Sequence, residues 1–285
     1  MTTSDITLKS PNFPTWCPGC GDYGIWSAIK KALVESNIPE EQLVIVYGVG
    51  CSGNMADFLR CYGFHALHGR ALPVAEAIKL ANHDLKVLVI AGDGDTYGEG
   101  MGHFVAACRG NHDITLLVHN NQVYGLTTGQ AAPTTPKGWE TKSTPTGQIE
   151  VPVNPIAIAA STGASFIARG YAGNIPFTSE LIKKAINHKG FSLVDTFQPC
   201  VTFNKHNTHV WYNEHTNKLD ETRDTSDPME AIKLSMDPEK LHLGVLYENQ
   251  TVKPYHEWVP NLTKGSLVKQ FATQVSLAES FKQYL

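Results

Sequence analysis

The stretch "KVLVIAGDGDTYGEG", Lys86 to Gly100, decides how the rest of the chain is read. An unbroken apolar run rich in β-branched residues ends in a Gly-Asp-Gly-Asp loop. It then opens onto "GMGHFVAACRG", whose apolar spacing is helical. A strand without polar alternation is buried on both faces, as in a parallel sheet covered by helices. Working outward, the same reading applies to "LVIVY" (Leu43–Tyr47), "ITLLVH" (Ile114–His119) and "SLVDTF" (Ser192–Phe197). The helical patterns "GIWSAIKKALVES", "PVAEAIKLANH" and "TSELIKKAINHK" lie between them. The fold class that follows is α/β, a doubly wound and mostly parallel sheet.

Two regions break the alternation. Gln130 to Val153 is rich in Pro, Thr and Gly with no period, and reads as a long ordered loop of the functional kind. After Cys200 the chain turns polar and irregular, with a short helix at Met229–Met236 and a hairpin around "LGVLYENQTVKPYHEW". The chain therefore divides into a ligand-binding α/β domain, 1–200, and a C-terminal arm, 201–285, that packs on the core or on a partner.

Composition narrows the function classes. With 285 residues and 42% hydrophobic content, the chain builds one large domain or one domain with an appendage. A net charge of −4 argues against nucleic-acid binding. No apolar run has the length of a membrane span and the start has no signal pattern, so a cytoplasmic protein is expected. In that compartment cysteines serve as metal ligands or reactive groups more often than as disulfides. Cys61 and Cys108, in helix-like contexts, read as buried free thiols.

The chemistry lies where the strands end. "GVGCSG", "GDGDTYGEG", "NNQVYGLTTGQ" and "QPC" each follow a predicted strand, and open parallel sheets bind ligands beyond their carboxyl ends. Asp93 and Asn121 sit one strand–helix–strand unit apart. A carboxylate, an amide oxygen and a nearby carbonyl form a hard oxygen set that suits Mg²⁺ beside a phosphate. Gly92 and Gly94 let the backbone approach such a group closely. Cys17 and Cys20 of "WCPGC", with Cys51 and Cys200, place four thiols near the same edge. Four thiolates suit either Zn²⁺ or a [4Fe–4S] cluster, and spacing alone leaves both open.

The GDG–NN pair is similar to the thiamine-diphosphate motif, in which Asp93, the Asn121 side chain and the Val123 carbonyl would hold Mg²⁺. The ordered set "WCPGCGDYG", "GVGCSG", "HGRALPVAEAIKLAN", "GDGDTYGEGMGHF", "NNQVYGLTTGQ" and "QPC" resembles the β subunit of 2-oxoacid:ferredoxin oxidoreductases. The match runs from about Pro14 to Trp211, with a looser echo to about His256. The resemblance implies a thiamine-diphosphate-binding fold of the pyrophosphate-domain type. It implies oxidative decarboxylation of a 2-oxoacid, acyl transfer to coenzyme A, and electrons leaving through a [4Fe–4S] cluster on Cys17, Cys20, Cys51 and Cys200 to ferredoxin. It further implies an α subunit supplying the pyrimidine-binding domain and the activating acid, in an (αβ)2 assembly.

By the same resemblance, Cys51, Ser52, Gly53, His68, Gly69, Gly92, Asp93, Gly94, Asp95, Asn121, Val123, Gly125, Leu126 and Thr127 contact the cofactor. His68, Arg70 and Asn54 are the candidate catalytic residues. Asp95 either approaches the diphosphate or caps the next helix. Two positions depart from the family pattern: Asn54 and Thr128 stand where cations are common, which puts the choice of oxoacid in question. Trp211-Tyr212 reads as a partner anchor or as core. The competing readings are a non-redox thiamine decarboxylase with structural zinc, and a zinc-stapled scaffold that only binds partners.

Overall fold

The computed structural model describes residues 8–270 together with Phe281, Lys282 and Tyr284. Its strands are β1 (Leu43–Tyr47), β2 (Tyr62–His65), β3 (Lys86–Gly92), β4 (Thr115–Asn120), β5 (Val123–Tyr124), β6 (Gln130–Ala131), β7 (Phe166–Tyr171), β8 (Ser192–Phe197), β9 (Thr216–Lys218) and β10 (Leu241–Glu248). The helices are α1 (Asp22–Glu35), α2 (Ala71–Ala81), α3 (Met101–Gly110), α4 (Pro155–Thr162), α5 (Ile175–Asn187), α6 (His209–His215) and α7 (Pro228–Ser235). One sheet of eight strands runs in the order β2-β1-β3-β4-β8-β7-β10-β9, and β5 and β6 form a separate ribbon. From β2 to β7 every pairing is parallel.

The period of two divides each central strand between two cores. Ile45, Leu88, Ile90, Leu117 and Val194 face α1 and α5, where they meet Ile25, Ile29, Leu33, Leu181 and Ile182. Val46, Val87, Val89, Leu116, Val118 and Leu193 face the opposite layer, with Leu72, Phe104, Ile156, Ala159 and Ala231. Both faces being covered is the reason these strands read as continuous apolar runs.

Three helices begin on the same device. Asn154, Asn174 and Asp227 accept from the backbone N–H groups of Ala157 (3.1 Å), Phe177 (3.4 Å) and Met229 (2.8 Å), with a proline in the first turn each time. This device starts α5 at Ile175, a turn before the apolar pattern does, and starts α4, which the apolar pattern did not reveal. Two strands also lay outside the pattern. β7, "FIARGY", is interrupted by Arg169 and Gly170, and β2 is an exposed edge strand.

The segment after Cys200 departs from the expected hairpin. β10 pairs antiparallel with β7 inside the main sheet, and β9 pairs parallel with β10. The second half of the predicted hairpin holds only a short 3-10 turn, Tyr255–Glu257. Edge pairing with β7 offers β10 a full ladder that a solvent-exposed hairpin lacks. Tyr212 belongs to the core: it is fully buried against Phe197 and Tyr171, with ring centroids at 5.1 and 5.4 Å. Among the described residues no helix is long and apolar enough to cross a membrane.

Candidate active site

β1, β3, β4 and β8 are consecutive in the sheet, so the four loops singled out above emerge side by side. Between them lies a cleft walled by Ser52, His68, Gly92, Asp93, Asn121, Val123, Gly125, Leu126 and Thr127, among others. Gly53, Asn54, Gly69 and Arg70 are not part of that wall. Asn54 lies in the 3-10 turn Gly53–Asp57, and Arg70 is exposed, its Nη1 donating to the His68 carbonyl at 2.9 Å.

The backbone after β3 enters a π-helical turn, Gly94–Glu99, an irregularity common at functional sites. The turn packs against the Tyr124 ring so closely that a Cβ on Gly94 would lie 2.3 Å from a ring carbon. Asp93, at its start, is buried; its Oδ2 accepts from Thr134 Oγ1 and from the Gln122 N–H at 3.0 Å. Burial pushes its carboxyl up to about 7; a divalent cation would reverse that by favouring the charged form. Asn121 Oδ1 accepts from the Val123 N–H at 3.0 Å.

Between them, Gln122 adopts left-handed backbone, φ +62. That conformation is held by Asp93 on its N–H, Thr135 Oγ1 on its carbonyl (2.6 Å) and Asn207 Nδ2 on its side-chain oxygen (2.5 Å). The long loop and the C-terminal segment thus brace the Asp93–Asn121 pair, and Asn204 adds a bond to the Asn121 carbonyl at 3.0 Å. These supports come from regions without periodicity, which is why Thr134, Thr135, Asn204 and Asn207 escaped the sequence reading.

Asp95 joins three loops. Its Oδ1 accepts from the N–H groups of Val49 (3.1 Å) and Gly69 (2.9 Å) and contacts His68 Nδ1 at 2.5 Å. A Cβ on Gly48 would lie 2.1 Å from its other oxygen, so glycine is required there. The carboxylate therefore orients His68 and clamps the "GVG" and "HGR" turns.

The thiols gather on the neighbouring side. The Pro18-Gly19 turn closes with a bond from the Cys20 N–H to the Cys17 carbonyl at 2.9 Å, Gly19 being left-handed at φ +84. Trp16 ties this knuckle to the β1 loop: its Nε1 donates to the Cys51 carbonyl at 2.7 Å. A Cβ on Gly24 would lie 2.1 Å from the Ala172 carbonyl oxygen, a close approach that seats the first turn of α1 at the sheet edge. Cys20 Sγ accepts from Gln198 Nε2 at 3.0 Å and donates to Asp22 Oδ2 at 3.3 Å. Burial raises the Cys20 and Cys200 thiols and pushes Cys51 up to about 12; Asp22, then Cys200 and Cys17, add repulsion at Cys51. Cys61 and Cys108 stand apart from this group, and all six cysteines are free.

One pair at this edge was not anticipated. His119 Nδ1 meets Asp22 Oδ1 at 2.5 Å, both side chains fully buried, while His119 Nε2 has no partner. The only signal for it in the sequence is adjacency: Asp22 to the CxxC and His119 to "NN".

The residues fit both groups that the motifs imply. For a diphosphate, Gly92 is open: a Cβ there would meet only Ser52 Oγ at 3.6 Å and the His119 carbonyl at 4.0 Å. Ser52 Oγ is itself buried without a partner, as a hydroxyl awaiting a ligand would be. For a thiolate-held group, the donor set is all sulfur, and neutral buried thiols ionise on coordination. Among the described residues no three His, Cys, Asp or Glu side chains are grouped so that they could hold one metal ion.

Fold and site together define a thiamine-diphosphate enzyme domain. Residues 48–196 match the thiamine pyrophosphate enzyme, C-terminal TPP binding domain, and residues 200–264 match the C-terminal region of the pyruvate ferredoxin oxidoreductase beta chain family. A Sulfolobus 2-oxoacid:ferredoxin oxidoreductase subunit beta is 46% identical over 87% of this chain and 86% of its own. Subunit beta of 2-oxoacid:ferredoxin oxidoreductase 2 from Aeropyrum pernix is 42% identical over 96% of this chain and 93% of its own. The 2-oxoglutarate:ferredoxin oxidoreductase of Magnetococcus marinus, solved with 2-oxoglutarate, coenzyme A and succinyl-CoA bound, superposes with a TM-score of 0.87. It is 36% identical and covers 92% of this chain and 89% of its own. The chain belongs to the β subunits of the 2-oxoacid:ferredoxin oxidoreductases, a thiamine-dependent oxidoreductase family. None of these matches supports the decarboxylase or scaffold readings.

Proposed function

We propose that this chain carries both redox groups of its enzyme: thiamine diphosphate with Mg²⁺ on Asp93, Asn121 and the Val123 carbonyl, and a [4Fe–4S] cluster on Cys17, Cys20, Cys51 and Cys200. One observation carries the reading. A Cβ on Gly125 would lie 3.4 Å from Cys51 Sγ, 3.7 Å from Cys200 Sγ and 3.7 Å from Asn121 Nδ2. The oxygen-donor site and the thiols thus share a wall one glycine thick. When bound, thiamine supplies an electron sink for loss of CO₂, and the cluster supplies one-electron transfer.

The chain's own residues position and shield that chemistry. Ser52 Oγ offers a hydrogen bond into the cleft, Gly92 keeps its floor free of a side chain, and Gly94 and Gly125 let Tyr124 and the thiols pack close beside it. Leu126 and Thr127 close the wall above. His68, fixed through Nδ1 by Asp95, keeps Nε2 as the ring atom able to exchange a proton. Arg70 and Asn54 lie outside the cleft wall and take no part in this assignment.

Exposed Tyr62, Phe64 and Leu67, on and beside the edge strand β2, support a partner there. That partner is an α subunit bringing the pyrimidine-binding domain and the activating acid, in an (αβ)2 assembly. It works in the cytoplasm, where free thiols persist, and hands electrons to ferredoxin.

The test is anaerobic purification of the native complex, followed by a visible spectrum and metal analysis. Broad absorption that bleaches with dithionite, with about four iron atoms per chain, is the expected result. One zinc atom and no colour would replace the cluster with a staple. In Cys51→Ala, iron and ferredoxin reduction should both be lost while thiamine stays bound. Full ferredoxin reduction by that variant would remove Cys51 from the ligand set.

A further inference from the structure

The substrate of this family is an anion, yet the cleft that receives it has no lysine or arginine in its wall; its formal charges are Asp93 and Asp95. An anion moved into such a site is costly unless a cation meets it. Arg70 is tied back on the His68 carbonyl, and Asn54 is neutral.

The long loop delivers a cation to the rim instead. Lys142 Nζ donates to Thr128 Oγ1 at 2.6 Å, one residue beyond the cleft-lining Thr127. The placement is built. The Lys142 N–H donates to the Gly129 carbonyl at 3.1 Å, and Ser143 Oγ accepts from the Ala131 N–H at 2.9 Å, clasping the two segments together. Thr128 itself is left-handed at φ +77, an outlier for a β-branched residue. It is held by its N–H on the Gly125 carbonyl (3.1 Å) and by the Gly129 N–H on the Tyr124 carbonyl (2.9 Å). Such backbone persists where surroundings over-determine it, and it clusters at ligand clamps. The Lys142 ammonium is exposed and keeps two of its three donors.

We propose that Lys142 is the substrate-anchoring residue of this chain: its ammonium, parked on Thr128, receives a carboxylate of the incoming 2-oxoacid. The inference rests on the 2-oxoacid reading, and the two fail differently. A wild-type complex that turns over no 2-oxoacid overturns the reading itself, whereas Lys142 is judged only against an active wild type.

The test uses the native complex with Lys142→Met, which keeps the aliphatic stem and removes the charge. The KM for the 2-oxoacid at low salt should rise about tenfold, far more than kcat falls. The wild-type KM should climb with ionic strength, and the variant's should not. Calorimetry with the 2-hydroxy analogue of the accepted 2-oxoacid, which keeps the carboxylate but has no keto carbon, should show the same loss of affinity without turnover. Lys142→Arg should retain most of the affinity. Adding Thr128→Lys to Lys142→Met should restore it, since lysine is less strained than threonine at that φ. An unchanged KM and probe affinity, a rise only in the KM for coenzyme A, a persistent salt dependence in the variant, or failure of the Thr128→Lys rescue would each overturn the proposal.

Discussion

Strand β4 has a buried asparagine beyond each end, and the two are used in opposite ways. Asn111, before the strand, is largely engaged: its Oδ1 accepts from Ser165 Oγ (2.7 Å) and the Phe191 N–H (2.8 Å), and its Nδ2 donates to the Lys253 carbonyl (3.2 Å). It ties three loops together, keeps a single Nδ2 hydrogen to spare, and lies outside the cleft. Asn121, after the strand, makes one side-chain hydrogen bond and lines the cleft. The same residue type, similarly buried, spends its hydrogen bonds on other loops at Asn111 and holds most of them in reserve at the cleft at Asn121. Spare capacity, more than burial, separates the two.

The comparison can be broken experimentally. The largest effect is expected at Asn121→Ala: Mg²⁺-dependent thiamine binding should weaken about 100-fold by calorimetry, with the melting of the cofactor-free complex unchanged. A fall in stability with affinity intact would reverse the assignment. Asn111→Ala should do the opposite. It leaves two partners unpaired and puts alanine at φ +49, so denaturant unfolding should show a loss of about 2–4 kcal/mol with thiamine affinity preserved.

The smallest effect sharpens the rule. Glu76, in α2, also keeps an orphaned buried oxygen, Oε1, but lines no part of the cleft. Burial pushes its carboxyl up from 4.5 to about 7. Because the folded state holds this proton more tightly than the unfolded one, the contribution of Glu76 to stability is greatest below pH ~4.5 and is lost as pH rises towards ~7. Glu76→Gln should therefore be neutral at pH 4.5 and stabilising by about 1–2 kcal/mol at pH 8, after allowing for partial solvent screening. A pH-independent difference in urea midpoints would show that the carboxyl does not titrate in this window.

Much of the site was legible because it is written in short, local patterns. "GDG" after one apolar run and "NN" after the next mark Asp93 and Asn121 through strand period and turn chemistry alone. The three Asx–Pro helix starts are equally local, but apolar spacing does not show them, which is why α4 was missed and α5 began late. Asp95 shows the boundary. Its place in "GDGD" marked it as near the site, but its work, clamping Val49, His68 and Gly69, depends on loops from elsewhere in the chain.

By itself the sequence determined the parallel sheet, the loops that carry chemistry and the residue types that suit a diphosphate, a divalent cation and four thiolates. Each of these follows from periodicity or from the donor chemistry of neighbouring residues. Only the tertiary structure decided that β1, β3, β4 and β8 lie consecutively, and that Gly125 separates the thiols from Asn121. It likewise decided that Asp22 pairs with His119, that β10 completes the sheet, and that Lys142 reaches Thr128. Those are contacts between segments far apart in the chain, set by how two covered faces pack on one sheet, and no local pattern encodes them.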